Sequence, residues 1–334
     1  MIPSMRTAKT FVGSLVFSGV AMLSLRASAQ DSALPSMLQT HLDNAKLLMG
    51  TNPNLQGMQT LCIDLKEWGK FRQDNTAHQQ VLPPTKVFDQ LYYIGMSSVG
   101  SWALVTSDGI IQIDTLHNSE EAERIIVGGY KKLGLDPTKI KYVILTHSHA
   151  EHYGGGKYFQ DTFHSHVLMA GPDWDVIAKA PNPPPATRDM VVTDGQKLTL
   201  GNTTITMFVA PGHTPGTIDL LIPVTDHGQP HLMSFVGGTG IPRGMDSLIQ
   251  YQTGFERFMK IGEDEHVDGT ISNHPWFDNT YTDGKTDKMT KATSRKPGDP
   301  NPWVVGQGEY VLSMMANLEC LESSMARLKE KGEQ

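Results

Sequence analysis

Cysteine is nearly absent from this chain: only Cys62 and Cys320 occur in 334 residues, in no metal-like spacing. A metal site built on cysteine is therefore excluded. In an oxidising compartment two such cysteines either pair or stay as separate buried thiols. Spacing alone leaves both readings open, because it carries no Cβ geometry. A Cys62–Cys320 bond would close a loop of roughly 260 residues, worth several kcal/mol in the chain-entropy treatment.

Long apolar runs are scarce too. The one clear case is Phe11–Leu25, preceded by Arg6 and Lys9 and followed by Ala27-Ser28-Ala29. That order of positive, apolar and small residues is an export signal, and residues 1–29 are expected to be removed. An uncleaved anchor is the alternative, but the run is short for a span, and no later run is long enough. Basic residues are also in deficit, with 28 Lys and Arg against 35 Asp and Glu and a formal net charge of −7. Loss of the signal takes three basic residues and brings that to about −10. A nucleic-acid partner is excluded on that balance. A soluble enzyme in the periplasm or outside the cell, acting on a small-molecule substrate without membrane attachment, is the expectation. There is no short-period repeat.

Residues 30–85 read as an N-terminal arm with short helices. Regular strand signals begin at Leu91–Ile94 and continue through Trp102–Thr106 and Ile110–Ile113. Asn118 or Ser119 caps a helix ending near Gly134. A strand at 140–145, a helix at about 155–160, a strand at 166–170 and a helix at 173–179 follow. Pro181–Pro185 is a loop. Strands at 191–192, 197–200 and 203–209 come next, with Asp194-Gly195 as a hairpin turn. Strands at 217–222 and 231–236, a helix at about 247–261 and a strand at 268–272 complete the globular part. Gly284–Gly308 reads as an exposed loop and 309–330 as a long amphipathic helix. Helices intervene in each half, which suggests two βαβ-like halves in one layered domain.

The densest chemistry is Thr146-His147-Ser148-His149-Ala150-Glu151-His152, directly after the apolar run Ile140–Leu145. Three imidazoles and a carboxylate within six residues, at the end of a buried strand, are metal-ligand density. Neutral imidazole and carboxylate oxygen are both zinc donors. Two further histidines stand where strands end: His213 in Pro211–Gly216 (PGHTPG) and His274 in Ser272–Trp276 (SNHPW). A layered fold gathers strand ends at one edge. The set is large enough for two zinc ions that each keep an open position, the mark of a catalytic site.

Over roughly residues 60–280 the chain resembles the metallo-β-lactamase superfamily, whose signature is His-x-His-x-Asp-His followed by distant histidines. The resemblance rests on Tyr93-Ile94-Gly95, Ile113-Asp114, the cluster, Asp194-Gly195, Pro211–Gly216 and His274-Pro275. It implies an α/β fold, a four-layer αβ/βα sandwich, with the family domain at 86–283 and the loop and helix of 284–334 packed on it. It assigns His147, His149 and His213 to a first zinc ion and Glu151, His152 and His274 to a second. Asp114 becomes the acid that orients ligands. Glu151 and Asp114 are thus the expected catalytic carboxylates, and Thr239 and Trp276 the expected substrate contacts.

Many superfamily hydrolases, such as glyoxalase II and lactonases, use a bridging Asp from a Gly-Asp motif after the fourth strand. Here that place reads Phe235-Val236-Gly237-Gly238-Thr239-Gly240, without acid or cysteine. The chain is most similar to the third zinc subclass (class B, subclass 3), which has Ser there and shares the Pro-Gly-His-Thr-Pro-Gly and late His-Pro; Thr239 stands in for the Ser. The implied activity is hydrolysis of a cyclic amide, since zinc ions lower the pKa of water towards neutrality. A lactone or other ester is the alternative, followed by an iron-binding redox role or a non-catalytic binding role. Glu151 is the departure from the pattern: it adds one methylene to the family's Asp, and a displacement of about 1 Å can cost about a hundredfold in rate. Specificity is expected from loops around 97–101, 181–190 and 239–246. His164 and His166 fall outside the motif; His117 either lines the pocket or is a plain loop residue, the latter being expected, and His227 and His231 are expected as surface residues.

Overall fold

The computed structural model describes residues 35–180 and 182–332; the expected signal peptide lies outside the described residues. The chain begins with helix α1 (Met37–Met49), which the Ser36 hydroxyl caps at Gln39 N–H. A 3-10 turn at Gln56–Leu61 leads to α2 (Leu65–Ala77), where the Asp64 carboxylate accepts from the Lys66 and Glu67 amides. These are ordinary N-caps: a short acceptor satisfies amides that have no partner in the first turn.

Seven strands then build the first sheet in simple order: β1 (Thr85–Lys86), β2 (Leu91–Gly95), β3 (Gly100–Thr106), β4 (Gly109–Ile113), β5 (Ile140–Ile144), β6 (His166–Ala170) and β7 (Met190–Val192). Pairing is antiparallel from β1 to β4 and parallel from β4 to β7. The parallel steps need crossovers. These are the helical segment α3 (Ser119–Glu121, Ala122–Val127 and Gly128–Lys132), the pair α4 (Ala150–Tyr153) and α5 (Gly156–Phe163), and α6 (Gly171–Ile177). The second sheet has five strands, β8 (Gln196–Leu200), β9 (Thr203–Val209), β10 (Ile218–Asp226), β11 (Gln229–Val236) and β12 (Gly269–Ser272). Helix α7 (Met245–Asp264) crosses from β11 to β12, which pair in parallel. Helices α8 (Lys288–Thr293) and α9 (Gln307–Glu330) close the chain.

Strand periodicity sorts the core into layers, because alternate side chains leave opposite faces of a strand. Trp102 and Leu104 of β3, Ile111 and Ile113 of β4, and Ile218, Leu220 and Ile222 of β10 fill the space between the sheets. Their neighbours Ala103, Ile110 and Val143 face outward to α3, α5 and α6 through Ile126, Tyr130, Phe159 and Trp174. On the other side, Leu221 and Val236 meet α1, α7 and α9 through Ala45, Phe258 and Met314. The result is a four-layer αβ/βα sandwich, as the resemblance implies. Cys62 and Cys320 are bonded, with their Cα atoms 4.4 Å apart, and tie the segment before α2 to α9. Among the described residues no helix is long and apolar enough to cross a membrane.

Three expectations are corrected. The second half is βαβ-like only in its last unit, where α7 joins the parallel strands β11 and β12. Its strands β8 to β11 form an antiparallel meander, because the connections between them are too short to hold a crossover helix. Asp194-Gly195 is not a hairpin turn, since β7 and β8 lie in different sheets. Its carboxylate instead accepts from Val209 N–H and pairs with Arg257. The stretch 284–308 is not simply exposed. Trp303 enters the inter-sheet core with no exposed surface, and its indole N–H donates to Thr280. The local polar composition hid that one large apolar anchor.

Candidate metal centre

All of the candidate ligands stand where a strand or its following loop reaches the same edge of the sandwich. Extended β5 ends at Ile144, and the chain turns through Thr146–His149 into α4, which carries Glu151 and His152. A backbone bond from Ile218 N–H to Thr146 O, 2.8 Å, holds the start of β10 against the end of β5. Gly100 N–H likewise donates to Asn273 O at 2.7 Å, and the Trp102 indole to Ser272 O at 2.9 Å. These three bonds bring the ends of both sheets together at the ligands.

The ligands form two groups. His147, His149 and His213 make one, and Glu151, His152 and His274 the other, with donor atoms in each group within 4.8 Å of one another. In the first, His147 Nε2 lies 3.2 Å from both His149 Nδ1 and His213 Nε2. A tetrahedral zinc ion with nitrogen donors at about 2.0–2.1 Å has donor–donor edges of about 3.3–3.4 Å. The imidazole cluster has nearly that spacing. In the second group, His152 Nε2 is fully buried and finds no hydrogen-bond partner. A buried polar atom without a partner costs free energy unless something binds it, and a metal ion does. The donor set of nitrogen and carboxylate oxygen suits zinc.

In three of the histidines the opposite ring nitrogen is engaged, which sets the tautomer. His152 Nδ1 donates to Asp114 Oδ2 at 2.8 Å, His274 Nδ1 to Ser98 O at 2.8 Å, and His213 Nδ1 to Gly240 O at 2.5 Å. Each bond leaves a bare Nε2 aimed into the cluster. Burial, reinforced by the neighbouring imidazoles, holds His147 and His213 well below the usual histidine range and brings His274 to about 3. All three are therefore neutral, as ligation requires. Burial alone would raise Glu151, but His152 and His274 outweigh it and bring its carboxyl to about 2. The extra methylene of Glu151 does not take its carboxylate out of the cluster.

Asp114 has no exposed surface and sits at φ 55, a left-handed conformation that Asp tolerates better than most residues. Its Oδ1 accepts from Thr146 N–H at 2.8 Å. Its Oδ2 faces the Thr146 hydroxyl at 2.9 Å, His152 at 2.8 Å and the Asn273 amide at 3.0 Å. One carboxylate thus joins β4, the ligand loop and the loop that bears His274.

Thr239 and Trp276 both line the cavity of about 420 Å³ above the ligands. Thr239 Oγ1 is buried without a partner, and Trp276 lies against His274 with ring centroids 5.7 Å apart. The place where a bridging acid would sit is closed by small residues: a Cβ on Gly238 would come 2.7 Å from His213 Cβ.

Two residues that fasten the ligand loops carry no sequence signal. Buried Asp173 accepts from Ser148 N–H, the Thr214 hydroxyl and Gly216 N–H at 2.8, 2.6 and 2.8 Å, so it fastens both ligand loops of the first group. No local motif marks it. Asn273 Nδ2 bridges Asp114, Thr146 and Gly237 O. His117 lines the cavity, the alternative to a plain loop residue, and its hydrogen bond to Glu121 raises its pKa. Of the expected specificity loops, Ser98, Val99 and residues 239–243 line the cavity, whereas no described residue of 182–190 does. The wall expected there comes instead from α2, whose residues Trp68, Phe71, Arg72, Asn75 and Thr76 line the cavity. Their helical spacing was the signal available in sequence. His164 and His166 lie outside both ligand groups, and His166 faces Asp189.

The four-layer sandwich thus carries two groups of candidate metal ligands at its strand ends. Residues 96–226 match the family described as the metallo-beta-lactamase superfamily, and the chain carries a domain of that superfamily. Solved structures agree on the fold. BJP-1 of Bradyrhizobium japonicum, a subclass B3 metallo-beta-lactamase, is 24% identical with a TM-score of 0.63, over 76% of this chain and 97% of that one. The metallo-beta-lactamase SMB-1, in complex with mercaptoacetic acid, is 21% identical with a TM-score of 0.63, over 74% and 98%. FEZ-1 of Legionella gormanii is 22% identical with a TM-score of 0.59, over 76% and 97%.

Proposed function

We propose that this chain is an exported, zinc-dependent hydrolase that opens a cyclic amide, with β-lactams as the leading substrate class. The observation that carries the reading is the pair of ligand groups, complete on both sides and without an acid at Thr239. His147, His149 and His213 would hold one zinc ion, and Glu151, His152 and His274 the other. When bound, the two ions lower the pKa of water and polarise a carbonyl group.

The chain's own residues do the rest. Asp114 keeps the His152 proton on Nδ1, so that Nε2 stays a donor. Glu151 remains ionised and accepts a hydrogen bond from the attacking water, which orients it. Asp173 prevents the two ligand loops from separating. Thr239 lines the cavity as a small residue in place of an acid, and Trp276 shields one side of it. The periplasm is the proposed compartment, which suits the Cys62–Cys320 bond.

The test is hydrolysis of nitrocefin and a β-lactam panel beside lactones and thioesters, together with metal analysis. Loss of β-lactam hydrolysis in EDTA and its return with zinc are expected. Full β-lactam hydrolysis in metal-free protein would refute the reading, and stoichiometric iron would replace it with the redox alternative. Preference for lactones would favour the ester reading.

A further inference from the structure

Helix α2 lies outside residues 96–226, the part matched to the superfamily, yet it forms a wall of the cavity. Its positions 68, 71, 72, 75 and 76 share one helical face, since residues three and four apart are neighbours on a helix. All five line the cavity. A surface helix ordinarily spends such a face on the core. Here Trp68 and Phe71 pack only partly against the core, and no described side chain of α2 is fully buried, so the face stays open to the cavity. The helix is also held in place: the Cys62–Cys320 bond lies just before it, and Arg327 donates to the Cys62 and Ile63 carbonyls.

The face has two chemistries. Trp68, Phe71 and Trp276 form an aromatic trio with ring centroids 5.4 to 5.6 Å apart. Beside them, the Arg72 side chain is 63% exposed, and its one neighbouring carboxylate is Glu151 at 4.0 Å. That carboxylate is committed to the cluster with His152 and His274. Among the described residues Arg72 makes no closer polar contact, so its guanidinium fork is free. Such a fork matches a carboxylate with two parallel hydrogen bonds.

We propose that the α2 face is a substrate-recognition subsite for an aryl carboxylate: Arg72 takes the carboxylate, and Trp68, Phe71 and Trp276 take the ring. This deepens the hydrolase reading, on which it rests for the scissile bond but not for binding. It assigns the substrate as an anionic amide that bears an aromatic group.

Two measurements separate the claims. The first is calorimetric binding of 3-phenylpropanoate and 3-phenylpropan-1-ol to the full chain at fixed zinc. Arg72→Ala should weaken the carboxylate by about tenfold or more, as loss of a charged hydrogen bond does, with far less effect on the alcohol. Arg72→Lys should restore part of that affinity, and Trp68→Ala should weaken both ligands. Equal effects of Arg72→Ala on the two ligands, or none, would overturn the subsite, the latter placing the carboxylate on the metal. The second is kcat/KM for a β-lactam with a free carboxylate against its methyl ester. Arg72→Ala should reduce the acid-to-ester ratio about tenfold. An unaltered ratio with hydrolysis intact refutes the subsite and leaves the hydrolase reading standing. The binding pattern without any hydrolysis refutes that reading and leaves the subsite standing.

Discussion

Asp114→Asn removes one charge and exchanges one oxygen for an amino group without asking the backbone to move, since Asn tolerates φ 55 as Asp does. If the new amino group takes the Oδ2 position, it opposes the N–H groups of His152 and Asn273, now 2.8 and 3.0 Å away. If it takes Oδ1, it opposes Thr146 N–H at 2.8 Å. Either rotamer loses at least one bond and faces a buried donor with another, which costs about 1–3 kcal/mol. His152 also loses the acceptor that keeps its proton on Nδ1. Groups of this kind are worth about 10–100-fold in metal affinity, or about 1.4–2.7 kcal/mol. The assay is competitive zinc titration of wild type and variant, with urea unfolding of both in metal-free form. Weakening should fall on the site that includes His152, with the His147, His149 and His213 site less affected. Unchanged zinc affinity at both sites in a folded variant would show that Asp114 does not orient a ligand.

Three further outcomes are expected. Glu151→Asp withdraws the carboxylate by about 1.5 Å, one C–C bond. Since the longer side chain already reaches His152 and His274, the second equivalent of zinc should bind about 10–100-fold more weakly in stoichiometric titration. Tighter binding would mean that Glu handicaps the site. Burial raises the Asp219 carboxyl to about 7, against the bond from Gly237 N–H that favours its ionised form. The folded state therefore holds a proton that the unfolded chain releases near pH 4, so this group's contribution to stability falls as pH rises from about 4 to about 7. The total is about 4 kcal/mol at most. Urea unfolding of metal-free wild type and Asp219→Asn at pH 5 and pH 8 should show a shallower decline in the variant; parallel declines would contradict it. Paired Cys62→Ser and Cys320→Ser substitution opens a loop of 258 residues and should cost on the order of 5 kcal/mol, read as a lowered Tm.

Much of the site was legible because its chemistry is local. His147, His149, Glu151 and His152 share one turn after one strand, and the apolar run Ile140–Leu145 announces that strand by composition alone. His213 and His274 were legible as loop histidines after strands, and a sandwich gathers such ends at one edge. Layer assignment was legible too, because alternation along β3 or β10 is a property of the strand itself. The order of strands within the sheets was less so: whether two residues such as Asp194-Gly195 turn a hairpin or cross between sheets depends on partners that local sequence does not name.

What only the tertiary structure decided is how distant groups meet. Asp173 carries no motif, and it matters because folding brings Ser148, Thr214 and Gly216 around it. Trp303 sits in a polar stretch and is buried because the inter-sheet space admits it. Residues of α2 reach the cavity because a disulfide and α9 hold that helix over the strand ends. Sequence specifies ligands and strand faces through spacing, which is a short-range property of the backbone. Cavity walls, orienting carboxylates and the reach of Glu151 are set by packing between elements far apart in the chain, and only the folded molecule expresses them.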